Sequence, residues 1–208
     1  MIAKKNYQLA LDAIICRHTE AGERPTLVLH SCCAPCSSYV LEYLSRYFRI
    51  TLVYYNPNIA PREEYARREA EQRRLLEQMP AAHDVAYIAG RYEPERFETM
   101  ARGLEDEPEG GRRCELCYRM RMAEAARIAA ANGADYFSTT LTISPLKSAQ
   151  KINAIGESIA EETGARFLPC DFKKRGGYLR SIALSREYCL YRQNFCGCRF
   201  SKRRDAGR

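Results

Sequence analysis

The stretch "TLVLHSCCAPCSSYVLEYL", residues 26–44, joins an unbroken apolar run to a segment whose apolar residues return every three or four positions, with three cysteines at the joint. A run such as "TLVLH" (26–30), with no polar alternation, marks a strand buried on both faces, and the spacing in "SSYVLEYLSRYF" (37–48) marks an amphipathic helix. A cysteine at the mouth of a helix meets unpaired backbone N–H groups and the positive end of the helix dipole, which favour thiolate over thiol. Cys33 and Cys36 are so placed. Cys32 is a third candidate ligand, because adjacent cysteines at a turn can point to different metal atoms.

Working outward, strand and helix patterns alternate. "ITLVYY" (50–55), "DVAYI" (84–88), "DYFSTT" (135–140) and "RFLPC" (166–170) read as strands, making five with 26–30. Helical spacing is predicted over 6–21, 37–48, 61–79, 94–103, 114–131 and 146–163, the third opened by Pro61, whose missing N–H has no partner in a first turn anyway. Short strands separated by helices predict an α/β fold: three layers around a mainly parallel five-stranded sheet. Ligands in such sheets collect at the carboxyl ends of strands. "HSCCAPC", "YYNPNI", "TTLTISP" and "PCDFKKRGG" follow four of the strands, so four loops are expected to converge on one crevice.

The chain has 208 residues and ten cysteines. A chain of that size buries an adequate core without covalent staples, so disulfides are not required. The basic N-terminus leads into an apolar stretch broken by Asp12 with no small-residue cleavage site, and no run reaches membrane-spanning length; the expectation is a cytoplasmic protein with no membrane contact. In a reducing compartment, clustered cysteines point to metal or redox chemistry. Cys114 and Cys117 in "RRCELCYRM" are three apart at a helix start, so both sulfurs share a face. Cys196 and Cys198 flank Gly197, which permits the tight turn that brings both inward. A tetrahedral zinc and a [4Fe–4S] cluster each take four thiolates, so seven clustered thiols imply two metal centres, or one cluster beside reactive thiols. Cys16, Cys170 and Cys189 stand alone and read as small buried hydrophobes, and His30 as a satisfied core histidine.

Net charge is +7, and residues 171–208 alone carry +8. There, cations alternate with aromatics: Phe172, Lys173, Lys174, Arg175, Tyr178, Arg180, Tyr188, Tyr191, Arg192, Phe195. Cations suit phosphates and aromatic faces suit splayed bases, the combination that single-stranded RNA loops require. "SKRRDAGR" (201–208) reads as an arm adding non-specific phosphate attraction. Asn56, Asn58 and Thr140 at strand ends are candidates to position a ligand, or to cap turns. The Gly-Ser-rich phosphate loop of ATP pyrophosphatases is absent, which argues against ATP use.

Taken together, "HSCCAPC", "YYNPNI" with the following "EY", "CELCYRMR", "TTLTISP", "DFKKRGGYLRSIALS" and "YRQNFCGC" resemble the cobalamin-independent epoxyqueuosine reductases, the QueH type, over roughly residues 26–200. The resemblance implies a nucleotide-hydrolase or PP-loop-like topology and reduction of epoxyqueuosine to queuosine at the wobble position of tRNA, the last step of queuosine biosynthesis. It implies a [4Fe–4S] cluster with an adjacent mononuclear iron, held among Cys32, Cys33, Cys36, Cys114, Cys117, Cys196 and Cys198. Asp171 becomes an oxygen ligand or acid, and Cys36, where some relatives are expected to carry Asp, a catalytic ligand. The anticodon loop would be met by Asn56, Asn58, Thr140, Lys173, Lys174, Arg175, Tyr178, Arg180, Tyr191 and Arg192, and electrons would come from an external donor such as a ferredoxin or flavodoxin. Residues 1–25 are then an N-terminal helical extension, 26–170 the α/β core, and 171–208 a basic segment completing the metal site and the tRNA-binding face. A zinc-stapled RNA-binding protein without catalysis and a thiol–disulfide oxidoreductase are the alternatives.

Overall fold

A computed structural model of the chain describes residues 5–201. The buried strand of the opening stretch, β1 (Thr26–Ser31), is central, flanked by β2 (Arg49–Tyr54) and, on its other side, by a strand at Tyr136–Thr139. With β3 (Ala86–Ala89) outside β2, and the strand at 136–139 as β4, all pairings are parallel and the order is β3-β2-β1-β4. Seven helices accompany them among the described residues: α1 (Tyr7–Glu20), α2 (Ala34–Leu44), α3 (Arg62–Gln78), α4 (Pro94–Ala101), α5 (Arg112–Ala131), α6 (Ala149–Thr163) and α7 (Gly177–Glu187).

Successive strand residues point to opposite faces, and both faces are covered. Leu27, Leu29, Ile50 and Leu52 pack with α1, α2 and α3 through Leu11, Ile15, Leu41, Leu44 and Leu75. Val28, Val53 and Phe137 pack with α5 and α6 through Met122, Ala126, Ile152 and Ile159. That double burial is why β1 has no polar alternation. Truncating a fully buried leucine such as Leu29 to Ala costs about 2–5 kcal/mol. No helix among the described residues is long and apolar enough to cross a membrane.

The expected three layers and parallel sheet are found, with four strands instead of five. "RFLPC" makes a single parallel bridge, Phe167 to Phe137, closed by Phe137 N–H to Arg166 O and Leu168 N–H to Phe137 O. Beyond it, side chains take the bonds a ladder would use: Ser138 Oγ donates to Leu168 O, and Cys170 N–H donates to Asn153 Oδ1 at 2.9 Å. Pro169 has no N–H to offer. The helix α7 was not read from sequence, because its buried positions are Gly177, Ser181, Leu184 and Ser185, with only one large apolar residue among them, while Leu179 faces solvent. Cys170 is buried as expected, but Cys16 and Cys189 are exposed.

Strands run β1 to β2 to β3 outward and then return to β1's other side for β4, so the strand order reverses between β1 and β4. Loops diverge there, and the crevice at the carboxyl ends opens beside the residues that follow β1.

Candidate metal centre

β1 leaves the sheet at Ser31 and delivers Cys32 and Cys33 directly to the start of α2, where Pro35 fits the first turn. Cys33 occupies the cap position with extended backbone and makes no side-chain cap bond, so its sulfur stays turned to the other thiols. Beneath this turn Ser31 and Ser37 hydroxyls both reach Gln72 Oε1 of α3, at 2.7 and 2.9 Å, pinning strand end, helix start and α3 together. The sulfurs of Cys32, Cys33 and Cys36 lie within 4.8 Å of one another. Such close thiols cannot ionise alike. Hydrogen bonds with Cys33 and Cys36 hold Cys32 well below the ordinary thiol range; bonds with Cys32 and Cys33, then burial, push Cys36 up, and burial and Cys32 push Cys33 up to about 12.

A second group forms where α5 meets the segment after α7. Cys114, Cys117, Cys196 and Cys198 line one small pocket with Arg113, Tyr118 and Arg121. Glu107 accepts the Arg112 N–H at the helix start, and Gly110 N–H donates to Cys114 Sγ at 3.3 Å. Gly197 has φ +104°, and a Cβ there would lie 2.8 Å from Ile59 and 3.1 Å from Arg68, so the turn between Cys196 and Cys198 requires glycine. Arg68 of α3 ties the turn down: buried, and paired with Glu64 at 2.6 Å, it donates to the carbonyls of Cys196 and Phe195. Burial pushes Cys117 up to about 12 and Cys198 up to about 11. Buried thiols of this kind become thiolates when a cation replaces their protons.

The two groups adjoin. Cys32, Cys36 and Cys196 line a crevice of about 240 Å³ whose wall includes Arg121, Lys147, Tyr178, Arg192, Gln193 and Asn194, with Leu146 at its edge. Lys147 feels Cys196, Cys32 and Cys36 at once, and those sulfurs together with Tyr118 hold its ammonium well above the ordinary lysine range against the opposing effect of burial. His30 is fully buried; burial and the neighbouring Arg121 lower it to about 4, so it is neutral. Its Nε2 faces the Tyr55 carbonyl, which only accepts, so that nitrogen carries the proton and Nδ1 accepts from Thr139.

The structure therefore brings all seven clustered thiols to the carboxyl edge of the sheet, in a group of three and a group of four. It disposes of the other expected site residues differently. Thr140 adjoins Cys32, receiving its N–H at 3.4 Å. Asn56 is buried, donating to Ser31 O and accepting from Arg121, so its amide is engaged within the protein. Asn58 is buried with neither amide atom partnered. Tyr178 and Arg192 line the crevice, and Lys174 is exposed. Lys173 is turned inward to Asp171 and the carbonyls of Thr142 and Lys147; Arg175 pairs with Asp12 and Arg180 with Glu42. Tyr191 donates to Glu64 under the guanidinium of Arg67. Much of the cation–aromatic alternation is thus internal bracing of residues 171–198. Asp171 is not among the crevice-lining residues. Residues 202–208 of the expected basic arm, and residues 1–4, lie outside the described residues.

Sequence reasoning missed Arg121, Lys147 and Arg68. Arg121 had a legible signal, standing four residues after Cys117 and hence on the same helix face. Lys147 follows the β4 loop, at the same sheet edge as the thiols. Nothing local distinguishes Arg68 from the other arginines of α3.

Fold and site together define a class: parallel three-layer α/β proteins that gather cysteines from distant segments, with buried cations, at the strand ends beside an open crevice. Residues 27–204 match the family model described as epoxyqueuosine reductase QueH. Curated relatives of that name include those of Staphylococcus epidermidis, 44% identical over 202 residues (95% of this chain, 85% of the relative), and Staphylococcus aureus, 42% identical over 202 residues (95% and 84%). The relative from Thermotoga maritima is 35% identical over 182 residues (85% and 90%). The chain belongs to the epoxyqueuosine reductase QueH family.

Proposed function

We propose that this chain is an epoxyqueuosine reductase: an oxidoreductase that takes the epoxide oxygen from epoxyqueuosine in tRNA, so that epoxide, two electrons and two protons give the alkene of queuosine and water. Family membership carries the reaction, and the convergence of seven thiols beside a crevice carries the chemistry. The donor set fits iron. All seven candidate ligands are sulfur, and a buried guanidinium nitrogen of Arg121 beside them has no partner, as expected of a site arranged around added negative charge. The four-thiol pocket suits a [4Fe–4S] cluster and the Cys32–Cys33–Cys36 group an adjacent mononuclear iron. When bound, these centres would supply electrons singly and a Lewis acid for the epoxide oxygen.

This chain's own residues would then do three things. Lys147 and Arg192 form a cationic wall that draws the RNA backbone to the crevice, while Tyr178 and the exposed Leu146 offer faces for unstacked bases. Neutral His30, held between Thr139 and Tyr55, keeps the β1 and β4 ends in register and leaves no titrating imidazole there. Asp171, paired with Lys173 at 3.2 Å, anchors that lysine against the β4 loop and remains the candidate oxygen ligand or acid. We further read the order β3-β2-β1-β4, extended by the Phe167 bridge, as the nucleotide-hydrolase-like topology, with residues 1–25 an extension and 171–208 completing site and tRNA face. The reaction runs in the cytoplasm, with electrons from a ferredoxin or flavodoxin.

The test is anaerobic incubation of iron-reconstituted protein and a strong reductant with tRNA bearing epoxyqueuosine, followed by nucleoside mass spectrometry. Loss of one oxygen from that nucleoside is expected. A colourless protein that retains zinc and leaves the nucleoside unchanged would overturn the reading.

A further inference from the structure

Among the described residues three arginines are buried, and two of them have evident structural work. Arg68 pairs with Glu64 and holds two carbonyls. Arg113 donates to the carbonyls of Leu104 and Glu105 at 2.7 and 2.9 Å and lies over the Phe200 ring. Arg121 is buried as deeply, at 1% exposure, yet no carboxylate among the described residues pairs with it. Its Nε reaches the Cys117 carbonyl at 3.3 Å, its Nη1 reaches Asn56 Oδ1 at 3.4 Å, and its Nη2 reaches nothing. Both bonds are long and both acceptors neutral. A buried guanidinium so weakly compensated costs the fold free energy.

Its surroundings indicate what that cost serves. Arg121 lines the four-thiol pocket and the crevice alike. Cys117, Cys196 and Cys32, one from each thiol-bearing segment, are among the groups near enough to act on its charge, with buried His30 also beside it and the Tyr118 ring at 5.6 Å. Glu109 borders both cavities but is exposed and forms no ion pair with it.

We propose that Arg121 is a fixed counter-charge for the metal-loaded centre: a positioning residue whose guanidinium stands between the two thiol groups and whose free Nη2 donates to sulfur there. This rests on the reading of the thiols as metal ligands given above. Arginine suits the task because it cannot lose its proton, so the charge is present at every working pH. A fixed positive charge beside an iron–sulfur centre favours the more negative, reduced state and raises its potential.

The prediction has opposite signs in the two states of the protein. In Arg121→Met, removing an uncompensated buried cation leaves the metal-free protein melting at or above the wild-type temperature. The iron-loaded variant melts lower than loaded wild type, so the gain in melting temperature on loading shrinks by more than half. By redox titration followed by electron paramagnetic resonance, its one-electron midpoint falls by at least the equivalent of tenfold in the reduction equilibrium, about 59 mV. Arg121→Lys, which keeps the charge, recovers most of that shift. If Arg121→Met fails to fold without metal, or lowers both melting temperatures equally, Arg121 is a strut and the proposal is wrong. It is also wrong if the loaded variant keeps the wild-type potential. Wild-type protein that takes up no iron would instead sink the functional reading itself, and this proposal with it.

Discussion

The two thiol groups are built by different means. Cys32, Cys33 and Cys36 come from five consecutive positions at one strand-to-helix turn, and the turn would place them close together whatever the rest of the chain did. Cys114 and Cys117 meet Cys196 and Cys198 through packing of distant segments: α3 holds the later segment by Arg68, by Glu71 on the Tyr191 N–H and by Arg74 on the carbonyls of Tyr188 and Cys189, and Phe97 and Phe200 pack beside Cys117 and Cys198. The first group is a property of local backbone, and the second is a property of packing. A site made this way should lose its halves separately.

The sharpest way to break the comparison is at Cys196, which borders both cavities. Cys196→Ser is expected to lose most of the bound iron and to drop nucleoside reduction to background, whereas Cys36→Ser keeps the larger part of its iron; iron and sulfide analysis of both variants decides it. Next in size is the support. Arg68→Met leaves Glu64 half of a broken, largely buried pair and frees the Cys196 turn, at a cost of about 3 kcal/mol, or roughly 6–12 °C in melting temperature. Its iron loss should fall on the four-thiol pocket, and equal loss from both groups would show that they are not independent.

A smaller effect is expected at Gly197, where Ala must hold φ +104° against Ile59, costing about 1–3 kcal/mol. Denaturant titration should place the loss there, and a variant as stable as wild type would mean the turn has another conformation. The mildest test is chemical. In metal-free protein, Cys32, which its neighbours hold well below the ordinary thiol range, should be alkylated before Cys33, pushed up to about 12, and before Cys117 for the same reason. Peptide mapping after a brief pulse of alkylating reagent gives the order; Cys33 or Cys117 labelled first would overturn the charge distribution described above.

Legibility followed the same divide. β1, β2 and α3 were readable because their patterns answer to nearest neighbours: a doubly buried strand has no polar alternation, and Pro61 followed by Glu63 and Glu64 is a self-sufficient helix start. α7 was not, since its buried face is mostly Gly and Ser packed close against α2, with Gly177 against Tyr39. The fifth strand failed for the opposite reason. "RFLPC" has the composition of a strand, but Ser138 and Asn153, distant in sequence, take its hydrogen bonds.

The three-layer parallel α/β class, the seven candidate ligands and the family are legible without any fold, since apolar periodicity, cysteine spacing and short motifs are all carried by neighbouring residues. Only the packing of distant segments shows that the thiols divide three and four, that most of the expected RNA-facing cations pair with acids of the same chain, and that Arg121, with no carboxylate partner among the described residues, lines both cavities. These are facts about which distant charges and sulfurs come within a few ångströms of each other, and electrostatic energies depend on that separation and on burial, neither of which is written in local order.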